Sequence, residues 1–179
     1  PVELSPYRPA VRLAPKDWAT TGTAASAGRR RVISSFYLYP DQLEQHVRAI
    51  YAKYAAMERD EARYELHQCD DADVVIVAYG TTSRIARSAI EKCRRLGVRV
   101  GLLRPITLYP FPFAAFEELI ARPRAFLVVE MSMGQMLDDV KIAVAGRRPI
   151  SFYGRTGGIV PTPDEVVKQA LVLMEGTIP

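Results

Sequence analysis

Four short segments of this 179-residue sequence carry the residue types from which an anion-binding site is built. In chain order they are YGTTSR at 79–84, RPITLYP at 104–110, EMSMGQM at 130–136 and YGRTGGIVPT at 153–162. Gly, Ser and Thr leave backbone N–H groups accessible, and Arg84, Arg104 and Arg155 add positive charge. None of the segments has the glycine spacing of a dinucleotide-binding turn or a P-loop, and ordinary strand-to-helix turns use the same residues.

Several of these residues have a structural interpretation that needs no ligand. Thr82 and Ser83 are typical of residues that cap a helix, and Arg155, in a glycine-containing loop, is typical of a solvated arginine. Glu130 follows an apolar run and is the one carboxylate whose position suggests a function. Capping the turn that follows is an equally good role for Glu130.

The sequence contains no complete catalytic or metal-binding set. Its two histidines, His46 and His67, fall within one helical pattern, and its two cysteines, Cys69 and Cys93, form no CxxC pair. We therefore expect no Ser-His-Asp site, and no structural zinc or iron–sulfur cluster held by this chain alone. On these grounds no residue is assigned a catalytic, cofactor-binding or metal-binding role.

The composition is typical of a globular protein, with 49% hydrophobic residues, 25% charged residues and a formal net charge of +4. The basic clusters occur at element boundaries and form no stripe, so we expect no nucleic-acid binding. The longest apolar runs are strand-sized, and the N-terminal residues lack an apolar signal region. We therefore expect no membrane span and a cytoplasmic location.

Two regions precede the compact domain. Residues 1–40 are rich in proline and then in small residues, and we interpret them as an extended arm. Residues 41–70 form a predicted linker helix with a narrow apolar stripe, whose members are spaced by four and three. The stripe consists of Leu43, Val47, Ile50, Tyr54 and Met57, with Tyr64 one heptad further on. Such a stripe packs on a partner surface, either in the same chain or in another subunit.

Residues 71–179 alternate between strand and helix patterns four times. The alternation predicts an α/β domain, an open and mostly parallel sheet with helices on both faces. The strand patterns lie at 72–80, 98–105, 125–131 and 149–154. Ligands of such sheets bind at the carboxyl ends of the strands, near a switch in strand order, and the four segments described first arrive there.

Four stretches in this order resemble a known family. They are DVVIVAYGTTSRIARSAI, GVRVGLLRPITLYPFP, LVVEMSMGQMLDDVKIAV and ISFYGRTGGIVPTPDEV. Together they resemble the C-terminal part of the α subunit of 2-oxoacid:ferredoxin oxidoreductases, most of all the 2-ketoisovalerate (3-methyl-2-oxobutanoate) type. The resemblance implies the fold of the transketolase C-terminal domain, a sheet of about five strands of which one is antiparallel. We expect the fifth strand within residues 29–38, RRRVISSFYL.

The resemblance also implies which components lie elsewhere. In this family, thiamine diphosphate is bound between a pyrimidine-binding domain and a pyrophosphate-binding domain with a GDG-type magnesium motif, and no GDG occurs here. Thiamine diphosphate, magnesium, iron–sulfur clusters and CoA are therefore expected in the complete enzyme, and none is expected on this chain alone. The implied partners are a preceding pyrimidine-binding domain, β- and γ-type subunits in an oligomer, and, indirectly, ferredoxin.

The complete enzyme would convert a branched-chain 2-oxoacid to an acyl-CoA, and this chain by itself is expected to be non-catalytic. Its expected role is in subunit assembly and at the edge of the active-site cleft. The interface or cleft-edge candidates are Thr81, Thr82, Arg104, Glu130, Ser132, Met133, Gly134, Gln135 and Arg155. The methionines of this set and its neighbours suit an adaptable apolar contact, although methionine is equally ordinary in a core. The alternative is a free-standing α/β domain that binds an anion such as a nucleotide or CoA.

Overall fold

A computed structural model describes residues 12, 14–16, 18–20, 22, 28, 30–32 and 34–176. The chain divides into two compact units, Pro1–Val47 and Arg48–Pro179, and the boundary lies within the first helix, α1 (Pro40–Glu61). No residue of α1 is buried. In the first unit, Arg31 Nη1 donates hydrogen bonds to the carbonyl oxygens of Lys16 and Ala19, at 3.4 and 3.1 Å.

The first strand, β1 (Tyr64–His67), follows α1 directly and corrects two predictions. The linker helix ends at Glu61, so its extension to residue 70 was wrong. The expected strand within residues 29–38 is absent from the described positions of that range, and β1 is the antiparallel strand. Its alternating pattern places Tyr64 and Leu66 against the core and leaves Glu65 opposite Arg104 of the neighbouring strand.

The other elements confirm the predicted alternation. The strands are β2 (Val74–Val77), β3 (Val100–Pro105), β4 (Ala125–Glu130) and β5 (Ile150–Gly154). The helices are α2 (Gly80–Arg95), α3 (Phe113–Leu119), α4 (Gln135–Val144) and α5 (Pro163–Met174). In the described part of the chain the five strands form one sheet in the order β1-β3-β2-β4-β5, in which only the β1–β3 pair is antiparallel.

Helices cover both faces of this sheet, as its buried central strands require. On β2, Val75 and Val77 face the core under α3 and α4, whereas Val74 and Ile76 face the core under α2 and α5. Phe116 stacks on Phe111 in the first of these cores, with ring centroids 5.7 Å apart. The α/β fold class predicted from the sequence is therefore confirmed.

The two halves of the sheet diverge at β2 and β4. The connection through α2 leads from β2 to β3 on one side, and the connection through α4 leads from β4 to β5 on the other side and over the opposite face. The carboxyl ends of β2 and β4 are therefore the switch point at which open α/β sheets form their crevice. No helix in the described ranges is long and apolar enough to cross a bilayer.

Candidate functional site at the carboxyl edge of the sheet

Glu130, the last residue of β4, is fully buried and caps the helix that follows. Its carboxylate accepts hydrogen bonds from the backbone N–H groups of Met136 and Leu137, at 3.1 and 3.0 Å, and from Ser132 Oγ at 2.6 Å. The two N–H groups belong to the first turn of α4, where the helix has no acceptors of its own. Glu130 therefore has the capping role that the sequence left open, and it acts from outside the helix.

The residues between Glu130 and α4 form a short segment, 131–134, which we call the methionine turn. Gly134 ends it with a φ of 103°, a backbone conformation that favours glycine. Met133 is 76% exposed and Met131 is 39% exposed, whereas Met136, on α4, is buried in the core. Met136 therefore has the core role considered from the sequence, while Met131 and Met133 lie at the surface.

A shallow pocket of about 180 Å³ opens at the switch point, between the start of α2 and the methionine turn. Its lining consists of Tyr79, Gly80, Thr81, Thr82 and Met131. Thr82 is buried, and its hydroxyl donates to the carbonyl oxygen of Tyr79 at 2.7 Å, while Ser83 donates to that of Gly80 at the same distance. The expectation that Thr82 or Ser83 caps α2 was wrong, because both lie inside the first turn and bond backward to carbonyls.

Two of the arginines predicted at this edge, Arg104 and Arg155, form ion pairs with carboxylates. Arg155 Nη1 lies 3.1 Å from Glu165 Oε1, and its backbone N–H donates to the carbonyl oxygen of Glu130. Arg104 Nη1 lies 3.0 Å from Glu65 Oε2 and belongs to a different set of contacts, which includes Arg87. The hydrogen bond from Arg104 lowers the pKa of Glu65 below its ordinary value, so this carboxylate is charged at neutral pH.

Exposed apolar side chains on the neighbouring connections are the part of this edge that the sequence analysis missed. Beyond Met131 and Met133, the carboxyl-edge connections expose Ile106, Leu108, Tyr109, Ile159 and Val160. Large apolar side chains grouped on one edge are typical of a surface that contacts another polypeptide. The sequence contained a signal for this exposure, because apolar residues occur inside two turn-rich stretches. They are Ile159 and Val160 in GGIVPT, and Ile106, Leu108 and Tyr109 in RPITLYP.

The side chains that most often ligate metals are dispersed in the described part of the chain. Within the described ranges, no group of three or more His, Cys, Asp or Glu side chains is placed to hold a metal ion. Cys69 and Cys93 are buried in different cores, and burial raises the pKa of both thiols. Neither is placed to ligate an iron–sulfur cluster together with the other.

Comparison with known proteins identifies the family. Residues 72–166, more than half of the chain, match the family described as pyruvate:ferredoxin oxidoreductase core domain II. The chain belongs to this family. The match covers β2 to the start of α5, and so includes the switch point, the pocket and the methionine turn.

This chain is similar to subunits of several 2-oxoacid oxidoreductases. It is 43% identical over 79% of its length to the ketoisovalerate oxidoreductase subunit VorB of Methanothermobacter marburgensis, and covers 39% of that protein. It is 42% identical over 88% of its length to VorB of Methanothermobacter thermautotrophicus, and covers 43% of it. Identity to the 2-oxoglutarate synthase subunit KorA of Methanothermobacter marburgensis is 34% over 57% of the chain. The chain thus spans about two fifths of the length of its VorB relatives.

Two solved structures have the same fold as this chain. A 2-oxoglutarate:ferredoxin oxidoreductase from Magnetococcus marinus, with 2-oxoglutarate, coenzyme A and succinyl-CoA bound, matches 88% of this chain and 29% of its own, with a TM-score of 0.68 and 22% identity. A split-gene transketolase, an inactive β4 tetramer, matches 61% of this chain and 40% of its own, with a TM-score of 0.53 and 18% identity. The transketolase-like fold implied by the sequence resemblance is confirmed.

Proposed function

We propose that this chain is the C-terminal part of the α subunit of a cytoplasmic, thiamine-diphosphate-dependent 2-oxoacid:ferredoxin oxidoreductase whose substrate is 2-ketoisovalerate. The observation that carries the proposal is its identity of 43% and 42% to two ketoisovalerate oxidoreductase subunits. The lower identity of 34% to a 2-oxoglutarate synthase subunit supports the choice of a branched-chain substrate.

In the proposed enzyme this chain serves assembly and shapes the edge of the active-site cleft. Thiamine diphosphate, magnesium, iron–sulfur clusters and CoA would bind to other parts of the enzyme. In support, no group of three or more His, Cys, Asp or Glu among the described residues is placed to hold a metal ion. The partners would be a pyrimidine-binding domain of the same subunit, β- and γ-type subunits, and ferredoxin through the clusters. We retain the division into an arm (1–40), a linker helix and an α/β domain, with the helix ending at Glu61.

The proposed interface residues at the carboxyl edge have two kinds of role. Thr81, Met133 and Gln135 are exposed and would contact a partner directly. Glu130 and Gly134 are buried and would support the contacting surface. The remaining candidates, which are at least partly covered by their neighbours, are Thr82, Arg104, Ser132 and Arg155.

The anion-binding alternative has less support at this edge. Arg104 and Arg155 already pair with Glu65 and Glu165, so an anionic ligand would have to displace a carboxylate from each. The connections at this edge also expose large apolar side chains, among them Ile106 and Ile159, which favours a polypeptide over a nucleotide or CoA.

The proposal is tested by recovering the native gene product from its source cells, under anaerobic conditions, with an antibody to this chain. We expect a polypeptide longer than 179 residues, accompanied by further subunits, that reduces a viologen dye with 2-ketoisovalerate and CoA faster than with pyruvate or 2-oxoglutarate. Recovery of the chain without other subunits and without 2-oxoacid-dependent dye reduction would overturn it.

A further inference from the structure

We infer that Glu130 is a positioning residue that holds the methionine turn (131–134) as a preformed docking element, and that the occupant of this element is the remainder of the α-subunit polypeptide. The inference rests on the proposed function, because it concerns the same edge and names the partner that covers it. Four observations carry it: the bonds of the buried carboxylate, the way the other helices of this domain begin, the exposure of the turn, and the length of the relatives.

The Glu130 carboxylate connects the middle of the methionine turn and the first turn of α4 to the end of β4. One oxygen, Oε2, accepts from Ser132 Oγ within the turn and from the N–H of Met136 beyond it, at 2.6 and 3.1 Å. The other oxygen, Oε1, accepts from the N–H of Leu137 at 3.0 Å. The Glu130 carbonyl oxygen accepts from the N–H of Arg155, so β5 is attached to the same residue. The turn is therefore held at its middle, at its far end and from the neighbouring strand.

Helix α4 is capped by a fully buried carboxylate, unlike α2 and α5, which start on the same edge. Helix α5 starts on the same edge with an exposed capping box, in which Thr162 Oγ1 accepts from the N–H of Glu165 and Glu165 Oε2 accepts from the N–H of Thr162. Helix α2 begins with no side-chain cap. Removing a carboxylate from water costs far more than either arrangement unless several donors compensate. What Glu130 adds over a capping box is a fixed path for the turn in front of the helix.

The fixed path presents two apolar side chains outward from the switch point. Met133 is 76% exposed, and Met131, 39% exposed, forms one wall of the pocket. Methionine side chains adapt to the surface they meet, while a backbone that is already ordered loses little entropy on docking. A rigid turn with adaptable side chains is suited to a permanent contact between two parts of one protein.

The length of the relatives identifies the occupant. The two VorB relatives are matched over 39% and 43% of their length, so more than half of each lies outside the region that this chain resembles. A domain tethered to this one in the same polypeptide reaches the edge at a high effective concentration, which a separate subunit or a second copy does not have. The remainder of the α subunit is therefore the occupant to which we commit.

The test uses the full-length α subunit in its complex, with a diazirine amino acid in place of Met133. We expect cross-links from position 133 to the N-terminal part of the same polypeptide. Glu130→Gln retains the shape of the side chain but places an N–H₂ group opposite a donor. We expect it to raise the amide exchange rates of Met136 and Leu137 about tenfold and to reduce the cross-link yield several-fold.

Thr162→Ala is the matched control, since it removes a helix cap on the same edge without touching the methionine turn. It should leave the exchange at Met136 and the cross-links from position 133 unchanged, although it lowers stability. If Glu130→Gln does not fold, Ser132→Ala, which removes a single donor to the carboxylate, is expected to shift both readouts in the same direction by a smaller factor.

The inference is overturned if position 133 cross-links only to another subunit or to a second copy. It is also overturned if Glu130→Gln, or Ser132→Ala in its place, leaves exchange and cross-linking as in the unsubstituted protein. Failure of the proposed function has a different signature, because the unsubstituted complex would then show no 2-oxoacid-dependent dye reduction. A complex that is active but cross-links elsewhere contradicts only the inference made here.

Discussion

The backbone of Gly154, at the end of β5, lies against the carbonyl oxygen of Ser132 in the methionine turn. A Cβ atom on Gly154 would be 2.6 Å from that oxygen and 2.5 Å from Cζ of Phe152. The half-buried Phe152 ring packs against the core, and the Ser132 oxygen moves only if the turn moves. The absence of a side chain at position 154 therefore allows the turn to lie directly on the last residue of the neighbouring strand.

We predict that Gly154→Ala lowers the free energy of unfolding by about 1–3 kcal/mol through crowding of this contact. The backbone of Gly154 is not in the left-handed region, so conformational strain adds nothing to the cost. Urea denaturation followed by circular dichroism measures the change. Ser151→Ala, on the same strand, is the control and should change stability by less than about 0.5 kcal/mol. Equal stability of Gly154→Ala and the unsubstituted chain would show that the turn yields freely.

The alternation of strands and helices could be predicted because each element has a local signal. The four parallel strands are short apolar runs, and the capping box at the start of α5 is formed by Thr162 and Glu165, which are only three residues apart. These signals depend on residues close in sequence. The sheet order and the switch point are consistent with them, since parallel strands joined by helices allow few topologies.

The strand β1 could not be predicted in the same way. Tyr64 continues the heptad spacing of α1, and a strand of four residues has too few positions for alternation to outweigh it. What makes these residues a strand is their pairing with β3, in which Leu66 lies opposite Leu103. The same dependence on distant residues explains why the ion pair of Arg104 with Glu65 was missed.

The sequence left two roles open for Glu130, one of which was capping. It could not decide between them because the bonded groups are distant in sequence. Its acceptor atoms bond to Met136 and Leu137, six and seven residues further on, and only the folded turn brings them together. Exposure was the least predictable property. Met133 and Met136 have the same side chain and lie three residues apart, yet one is 76% and the other 2% exposed.

We predict that Cys69 and Cys93 do not react with a disulfide reagent such as Ellman's reagent while the chain is folded. Both thiols are buried, and burial raises the pKa of each above its ordinary value, so the reactive thiolate is scarce as well as inaccessible. In guanidinium chloride both should react fully. Rapid labelling of the folded chain would contradict the burial of these side chains.

Acid should destabilise the protein in part through Asp73. A bidentate hydrogen bond from Arg99, at 2.8 and 2.9 Å, lowers the pKa of Asp73 in the folded state, and Arg124 lies 3.7 Å away. Because the folded pKa is below the unfolded value of about 3.9, the contribution is present above that value and is lost as the pH falls through the folded pKa. We predict that Asp73→Asn lowers stability at pH 7 and shows a weaker loss between about pH 4 and pH 2. Urea denaturation over this range measures both effects.

Asp70→Asn is the control for this pH dependence. Asp70 pairs with Arg122 at 3.2 Å, but its side chain is fully exposed, so solvent screens the pair. The stability of the Asp70→Asn variant should fall, as the pH is lowered, as steeply as that of the unsubstituted chain. An equal slope for Asp73→Asn and Asp70→Asn would mean that the carboxylate of Asp73 does not contribute to the acid transition.

The carboxyl edge and the outer face of α4 offer a matched pair of exposed apolar residues for testing the proposed interface. Met133 is 76% exposed on the methionine turn, and Ile142 is 66% exposed on α4. Lysine at either position should change stability by less than about 0.5 kcal/mol, because neither side chain is packed in the core. We predict that Met133→Lys weakens assembly of the full-length subunit at least tenfold, since a charge would be buried in an apolar contact, while Ile142→Lys assembles normally. Sedimentation velocity of the purified complexes measures this, and an equal effect of both lysines would place the interface elsewhere.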